Sequence, residues 1–386
     1  MPLWDLRDTP MNDSSNPKKG HVRRWLLVVS FFAALAALWW AGHPEKTTVF
    51  IHRGESIHHV AQRLEEEHVI SSASLFTWIV RLSGGRHALH AGEFEVPHGN
   101  MLRVLWALYL GKPLLHSVTI PEGYNLYQID DLLAKQGLIQ AGEFSAIASS
   151  SQLLAPYGLE KAPSLEGFLF PETYAFSKVD SARMMAHLMV QKFFERYHAF
   201  RDRMVLGGMP NAVASWPLLH IVTLASVIEK ETGQKEERPL VASVFFNRLR
   251  LHMRLQSDPT TIYGLLPHYE GRLHKRDLES MTPYNTYRVP ALPVGPICNP
   301  GLASLEAVFT PAASDYLYFV ADNQGHHFFS RSYHEHANLV DQYQKKNRAP
   351  GNQPHTLKSR HLTHPQHRIT KEKHYAPRHQ ASHPKT

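Results

Sequence analysis

Eighteen residues in a row, Trp25 to Gly42 (WLLVVSFFAALAALWWAG), carry no charge, and they follow Lys18, Lys19, Arg23 and Arg24. A run of this length is at the short end of what crosses a bilayer as one helix. The basic cluster ahead of it predicts a cytoplasmic N-terminus, and Trp39 and Trp40 suit the far interface. A cleaved secretory leader is the competing reading. The long polar segment before the run, and bulky tryptophans where a peptidase needs small residues, favour an uncleaved anchor. On either reading the rest of the chain is expected outside the cytoplasm. It must fold there with a single cysteine, Cys298, and so without an intrachain disulfide framework.

Charge is distributed unevenly. The formal charge is +7, but from Lys345 onward ten Lys and Arg stand against Glu372 alone, a tail charge of +9. The remainder is therefore −2 (7 − 9), and no basic nucleic-acid face is expected on the body. The tail also holds seven histidines without paired spacing, which suits a flexible polycation better than a metal site. The 386 residues allow two or three domains.

The segment after the apolar run reads as a repeated unit. TVFIHRGESIHHVAQRLEEEHVI (48 to 70) has the order strand, Gly turn, helix, exit, and VTIPEGYNLYQIDDLLAKQGLI (118 to 139) repeats it 69 residues later. Gly54 aligns with Gly123, Ile57 with Leu126, Val60 with Ile129, Leu64 with Leu133 and Ile70 with Ile139. A turn glycine and helix-face positions shared at one offset indicate two copies of a small β-α unit. Between them HAGEFEV (90 to 96) reads as a strand, and MLRVLWALYLGKP (101 to 113) as a helix stopped at Gly111 and Pro113. A helix is expected over 180 to 205, a Pro/Gly-rich loop from 284 with a helix restarting near Leu302, a hairpin of DYLYFVAD (315 to 322) with HHFFS (326 to 330), and a last helix over 331 to 344. The fold class expected is α+β: one N-terminal transmembrane helix, small β-α subdomains and a mixed α/β domain.

Chemistry concentrates in IVTLASVIEKETGQKEERPLVASVFFNRLRLHMRLQSDPT (221 to 260), read as two helices followed by a polar loop. At about 100° per residue, Ile221, Leu224, Ala225 and Ile228 share a face; Glu231 lies roughly 50° from its centre, Glu229 roughly 110° away, and Lys230 nearly opposite. A carboxyl aimed at apolar surroundings is favoured in its neutral form, as a general acid requires near neutral pH. Taken alone, E-K-E also fits a capping or surface-paired carboxylate. Other segments add groups suited to a saccharide cleft: Glu166 in EGFLFPETY; Asn247 and Arg248 with Gln256, Ser257, Asp258 and Thr260; and Tyr284, Asn285, Thr286 and Tyr287. Amides, carboxylates and hydroxyls hold sugar hydroxyls and N-acetyl groups, and aromatic faces stack on pyranose rings. Asn247 and Gln256 are expected to position substrate or Glu231, Arg248 to pair structurally, and Glu166 to tune the acid or cap a loop. Cys298, His58, His59 and His220 read as packing or helix-surface residues.

In this order SVIEKET, VASVFFNRL, MRLQSDPTTIYG, TPYNTY and YLYFVAD resemble the endolytic murein transglycosylase (YceG-like) family, from the apolar run to about residue 344. GESIHHVAQRL also resembles the LysM pattern, although a packing unit without glycan contact fits it equally. The resemblance implies a cytoplasmic segment 1–24, a transmembrane helix 25–42, a LysM-like region 46–140, a periplasmic catalytic domain 141–344 and a basic tail 345–386. It maps the family's catalytic acid onto Glu231. The implied substrate is the peptidoglycan glycan strand, cut between N-acetylmuramic acid and N-acetylglucosamine to leave a 1,6-anhydro end and terminate elongation. The implied partners are the inner membrane and peptidoglycan synthases, and neither cofactor nor metal enters the implied reaction. Two readings stay open beside it: a water-using muramidase with Asp258 or Glu166 as second carboxylate, and a non-catalytic wall-binding scaffold.

Overall fold

The computed structural model describes residues 28–31, 45–82, 89–208 and 212–345. The polar segment 1–24, all of the apolar run but four helical residues, and the tail beyond 345 lie outside the described residues. Among the described residues no helix is long and apolar enough to cross a membrane. The chain divides after Leu317 into a large and a small unit.

The large unit opens with the first repeat. β1 (Lys46–Ile51) is followed by α1 (Ile57–Glu66), α2 (Ala73–Leu82) and β2 (Gly92–Pro97), and β2 returns antiparallel, from Ile51 opposite Gly92 to Lys46 opposite Pro97. The Ser56 side chain caps α1 by accepting from the His59 amide. α3 (Met101–Leu110) packs on β2. Val49, Ile51, Val60, Leu64, Phe76, Phe94, Val104 and Leu108 form one core that belongs to this repeat alone.

The second repeat runs β3 (His116–Thr119), α4 (Leu126–Lys135), α5 (Glu143–Ala148) and β4 (Thr173–Phe176), again with its two strands antiparallel. The 69-residue offset holds in three dimensions. Gly54 and Gly123 sit at φ 77° and 76°, a left-handed turn that glycine adopts without strain. Val49 and Val118, Ile51 and Ile120, Val60 and Ile129, and Leu64 and Leu133 are buried in both copies. The second copy runs past residue 140, because its closing strand, a four-residue TYAF, comes from far downstream.

The rest of the unit is built around one helix. After α6 (Ala182–Leu206) come α7 (Leu218–Glu231), α8 (Arg238–Arg250), α9 (Asp258–Gly264) and α10 (Leu302–Phe309); α8, α9 and α10 all pack against α7. Every residue of α7 from Ile221 to Ile228 is buried, so the helix has no solvent face over two turns rather than one apolar stripe. Its polar residues are satisfied internally: the Thr223 hydroxyl donates to the Leu219 carbonyl, and Ser226 donates to the Thr223 carbonyl while accepting from the Ile297 amide. α9 replaces the expected loop after Ser257, with Pro259 in its first turn, where the missing N–H costs nothing.

The small unit is a hairpin of β5 (Tyr318–Ala321) and β6 (His327–Ser330), with α11 (Tyr333–Val340) packed on it. Ser332 and Glu335 cap α11 reciprocally.

Candidate active site

Glu231 is the last residue of α7 and is only partly exposed. Desolvation pushes its pKa up to about 7; the Asp258 charge adds to the rise, and the Ser257 hydrogen bond and Arg248 oppose it. The helix C-terminus, with its partial negative charge, disfavours the anion as well. Ser257 Oγ donates to Glu231 Oε1 at 2.5 Å. Oε2 has no hydrogen-bond partner among the described residues. With Oε1 accepting, a proton on Oε2 is free to face an incoming oxygen.

The loop that carries Ser257 is braced from the other side. The Ser257 amide donates to Thr286 Oγ1 at 2.9 Å, Thr286 and Thr260 share a 2.8 Å hydroxyl contact, and the Gln256 amide donates to the Thr286 carbonyl. Thr261 donates to Asn285 Oδ1, whose Nδ2 reaches the Leu278 and Ser280 carbonyls at 3.0 and 2.7 Å. Thr260, Asn285 and Thr286 are fully buried, so they hold the loop and do not face a ligand. Gln256 is exposed at φ 52°, a left-handed backbone that is rare outside glycine and here sits beside the serine on Glu231. Asp258 is exposed, and one of its oxygens accepts from the Tyr287 hydroxyl at 2.7 Å. Burial, then Asp258, keeps Tyr287 protonated as that donor. Glu231, Gln256, Asp258 and Tyr287, by contrast, retain accessible surface.

Glu229 is placed differently. Its Oε1 takes a 2.9 Å ion pair from Arg238 at the start of α8, and its Oε2 accepts from the Gly301 amide and Ser304 hydroxyl at 3.0 and 2.7 Å at the start of α10. Both members of the ion pair are buried. This carboxylate bolts α7 to two neighbouring helices.

Glu166 is 1% exposed, and burial pushes its pKa up to about 7. Its ligands are all donors: the Leu126 amide at 2.8 Å, Tyr263 OH at 2.9 Å and Asn299 Nδ2 at 2.9 Å. Donors on both oxygens stabilise the anion and oppose burial. The loop reaches this point through Gly167, at φ 87°, where a Cβ would stand 2.6 Å from Pro296 and 2.7 Å from Val222 of α7. Asn299 spends its whole amide here. Oδ1 accepts from the Gly167 and Leu169 amides, and Nδ2 donates to Glu166 and to the Tyr124 carbonyl. Tyr263 and Asn299 were not picked out by sequence. Each sits in an ordinary-looking context, TTIYG and CNPG, and only long-range packing gives it a partner.

The remaining candidates are braces. Asn247 Nδ2 donates to the Ser314 and Tyr316 carbonyls, and Arg248 reaches the Leu255 and Leu317 carbonyls at 2.7 Å each, fixing the strand of chain that leads into Gln256. Tyr284 packs edge-on against Tyr263, with ring centres 4.8 Å apart. Cys298 is buried, and burial raises its thiol well above the usual range, which leaves it a packed, unreactive residue.

Comparison with known proteins relates the chain to one group. The YceG-like family model covers residues 49–342. The chain is 32% identical to an endolytic murein transglycosylase of Bacillus subtilis, over 77% of this chain and 85% of that protein. It is 26% identical to one of Streptococcus pneumoniae, covering 78% of this chain but 59% of the relative's length. Among solved structures, a yceG-like protein of Listeria monocytogenes is 34% identical, with a TM-score of 0.51 over 77% of this chain and 99% of that one.

Proposed function

This chain belongs to the YceG-like family, and from that premise we propose that it is an endolytic murein transglycosylase, a lyase of peptidoglycan glycan strands, with Glu231 as its acid and base in turn. The observation that carries the assignment is the environment of Glu231: a carboxyl held near neutrality at the edge of a buried helix, with one oxygen fixed by Ser257 and the other open. Protonated Glu231 gives its proton to the glycosidic oxygen as the bond from C1 of the N-acetylmuramic acid breaks. The C6 hydroxyl of the same sugar attacks C1, and the Glu231 carboxylate takes the hydroxyl proton, which closes the 1,6-anhydro ring and restores the acid. The nucleophile is already attached to the substrate, so the step gains the advantage of an intramolecular reaction. Gln256, Asp258 and Tyr287 line the approach to Glu231 and are assigned to substrate contact; Ser257 orients the acid.

A water-using muramidase is the second reading, favoured by the exposed Asp258 carboxylate beside Ser257. Digestion of uncrosslinked glycan strands followed by mass measurement separates the two. Anhydro ends support the lyase; reducing ends, heavier by one water, assign the hydrolase. Loss of both in Glu231→Gln supports Glu231 in either case, and unchanged turnover removes it.

The setting follows the same reading. The uncharged run 25–42 is assigned as an uncleaved single-pass anchor in the plasma membrane, with residues 1–24 cytoplasmic and the body periplasmic, where nascent strands and their synthases lie. The β-α-α-β order of the first repeat and its Gly54-Glu55 turn support a LysM-like role in holding glycan. Cutting strands near their site of synthesis would terminate their elongation.

A further inference from the structure

The first repeat is followed by a helix whose surface the reaction does not use. α3 reads MLRVLWALYL, and every residue but Arg103 is apolar. Val104 and Leu108 enter the core, whereas Leu102, Trp106 and Leu110 are 56%, 61% and 66% exposed and follow one another at a spacing of four, in a single line along the helix. Leu115, just beyond, is 55% exposed. A contiguous apolar line of this kind marks an interaction site rather than ordinary surface. Its electrostatics narrow the partner. No Asp or Glu occurs between Glu95 and Glu122, and Lys112 follows the line. The exposed members of the line are two leucines and one tryptophan, with Arg103 turned into the fold, so the line as a whole suits an apolar boundary more than a polar one.

Topology says what lies next to it. Lys46, the first residue of β1, pairs with Pro97, the last of β2, and the His98 amide donates to the Glu45 carbonyl at 2.8 Å. α3 starts at Met101, so its first turn stands beside the point where the chain enters the repeat. Only His43, Pro44 and Glu45 separate that point from the uncharged run ending at Gly42, a tether of roughly 14 Å at full extension. The repeat cannot leave the surface from which the run emerges.

We propose that α3 lies along the outer face of the bilayer that holds the anchor, with Leu102, Trp106 and Leu110 in the boundary between headgroups and acyl chains and Lys112 facing lipid phosphate. Leu and Trp on one side of an acid-free helix are the groups that partition to that boundary. The placement rests on reading residues 25–42 as an uncleaved anchor. It fixes the first repeat flat on the membrane instead of leaving it to swing on its tether.

Cys298 is buried, so an introduced cysteine can be labelled selectively. Full-length Leu102→Cys, Leu110→Cys and, as a solvent-facing reference on α4, Lys135→Cys would carry an environment-sensitive dye. They would be reconstituted into phosphatidylglycerol and phosphatidylethanolamine vesicles with spin-labelled acyl chains, and alkaline washing would show separately whether the anchor holds. The expected result is a wash-resistant protein whose labels at 102 and 110 are quenched about threefold more than the label at 135. Equal quenching at the three positions in a wash-resistant protein overturns the placement while leaving the anchor intact. Quenching that glycan strands abolish, or that appears only in vesicles containing other membrane proteins, assigns the line to sugar or to a protein and also overturns it. A chain that washes out fails the anchor itself, and the placement with it.

Discussion

Two carboxyl groups among the described residues are pushed to about 7 by burial, and they stand in opposite situations. Glu231 ends a helix at a partly open edge, has one donor on one oxygen and leaves the other unfilled. Glu166 is sealed between the second repeat, α9 and Asn299, with donors on both oxygens. A raised pKa therefore does not by itself identify a catalytic acid. The useful distinction is whether the proton can be handed to something from outside: Glu231 can present it outward, while Glu166 is buried and enclosed by protein groups that donate to both its oxygens.

The largest expected effect comes from removing the open member. Glu231→Gln should lower release of anhydro-ended products by about a thousandfold or more while the protein remains folded. Because the Glu231 pKa is raised above that of the unfolded chain, the native state holds this proton more tightly. Its contribution to stability is present below about pH 4 and lost as pH rises through about 7, so the Gln variant should match or exceed the wild type in denaturant midpoint at pH 8. A variant that is inactive because it is unfolded would break the contrast.

Glu229→Gln comes next and should act on stability. It leaves the buried Arg238 with only the longer 3.7 Å contact to Glu122, at a cost of up to about 3 kcal/mol, and residual activity should track the folded fraction. Glu166→Gln should cost about 2 kcal/mol, because one half of the new amide donates toward groups that also donate. If instead it abolished turnover in fully folded protein, Glu166 would belong to the chemistry and the distinction drawn here would fail. The smallest effect sharpens it from within. Turnover should fall above about pH 7 as Glu231 loses its proton, and Ser257→Ala, which removes a hydrogen bond that lowers the Glu231 pKa, should move that alkaline limb to higher pH. A pH-rate profile of both proteins checks the direction.

The parts legible in the sequence were those set by local periodicity. Two repeats announced themselves through Gly54 and Gly123 and their shared helix positions, because a left-handed turn restricts residue choice strongly enough to be visible. Helical phase set Glu231 nearer the apolar face than Glu229, but α7 is buried on every side from Ile221 to Ile228 and the Glu229 side chain is itself buried in an ion pair, so the phase did not tell which carboxylate keeps an open edge. What stayed hidden was non-local. β4 is four residues long and pairs with a strand that precedes it by more than fifty positions. Tyr263 and Asn299 acquire their roles only when Gly167 brings its loop against α7. α9 was missed for a different reason: Ser257-Asp258-Pro259 is a readable helix start, outweighed by the polarity around it.

The second repeat draws its closing strand from beyond its own helices, and its turn is tied to α7 by Lys230 Nζ donating to the Gly123 carbonyl at 3.2 Å. The first repeat closes on its own core. For anyone re-engineering the protein, the two copies are therefore not equivalent modules. The first keeps its own core and meets the second mainly at Glu93, which pairs with His116 at 2.7 Å, whereas excising the second would remove a direct support of the helix that carries Glu231.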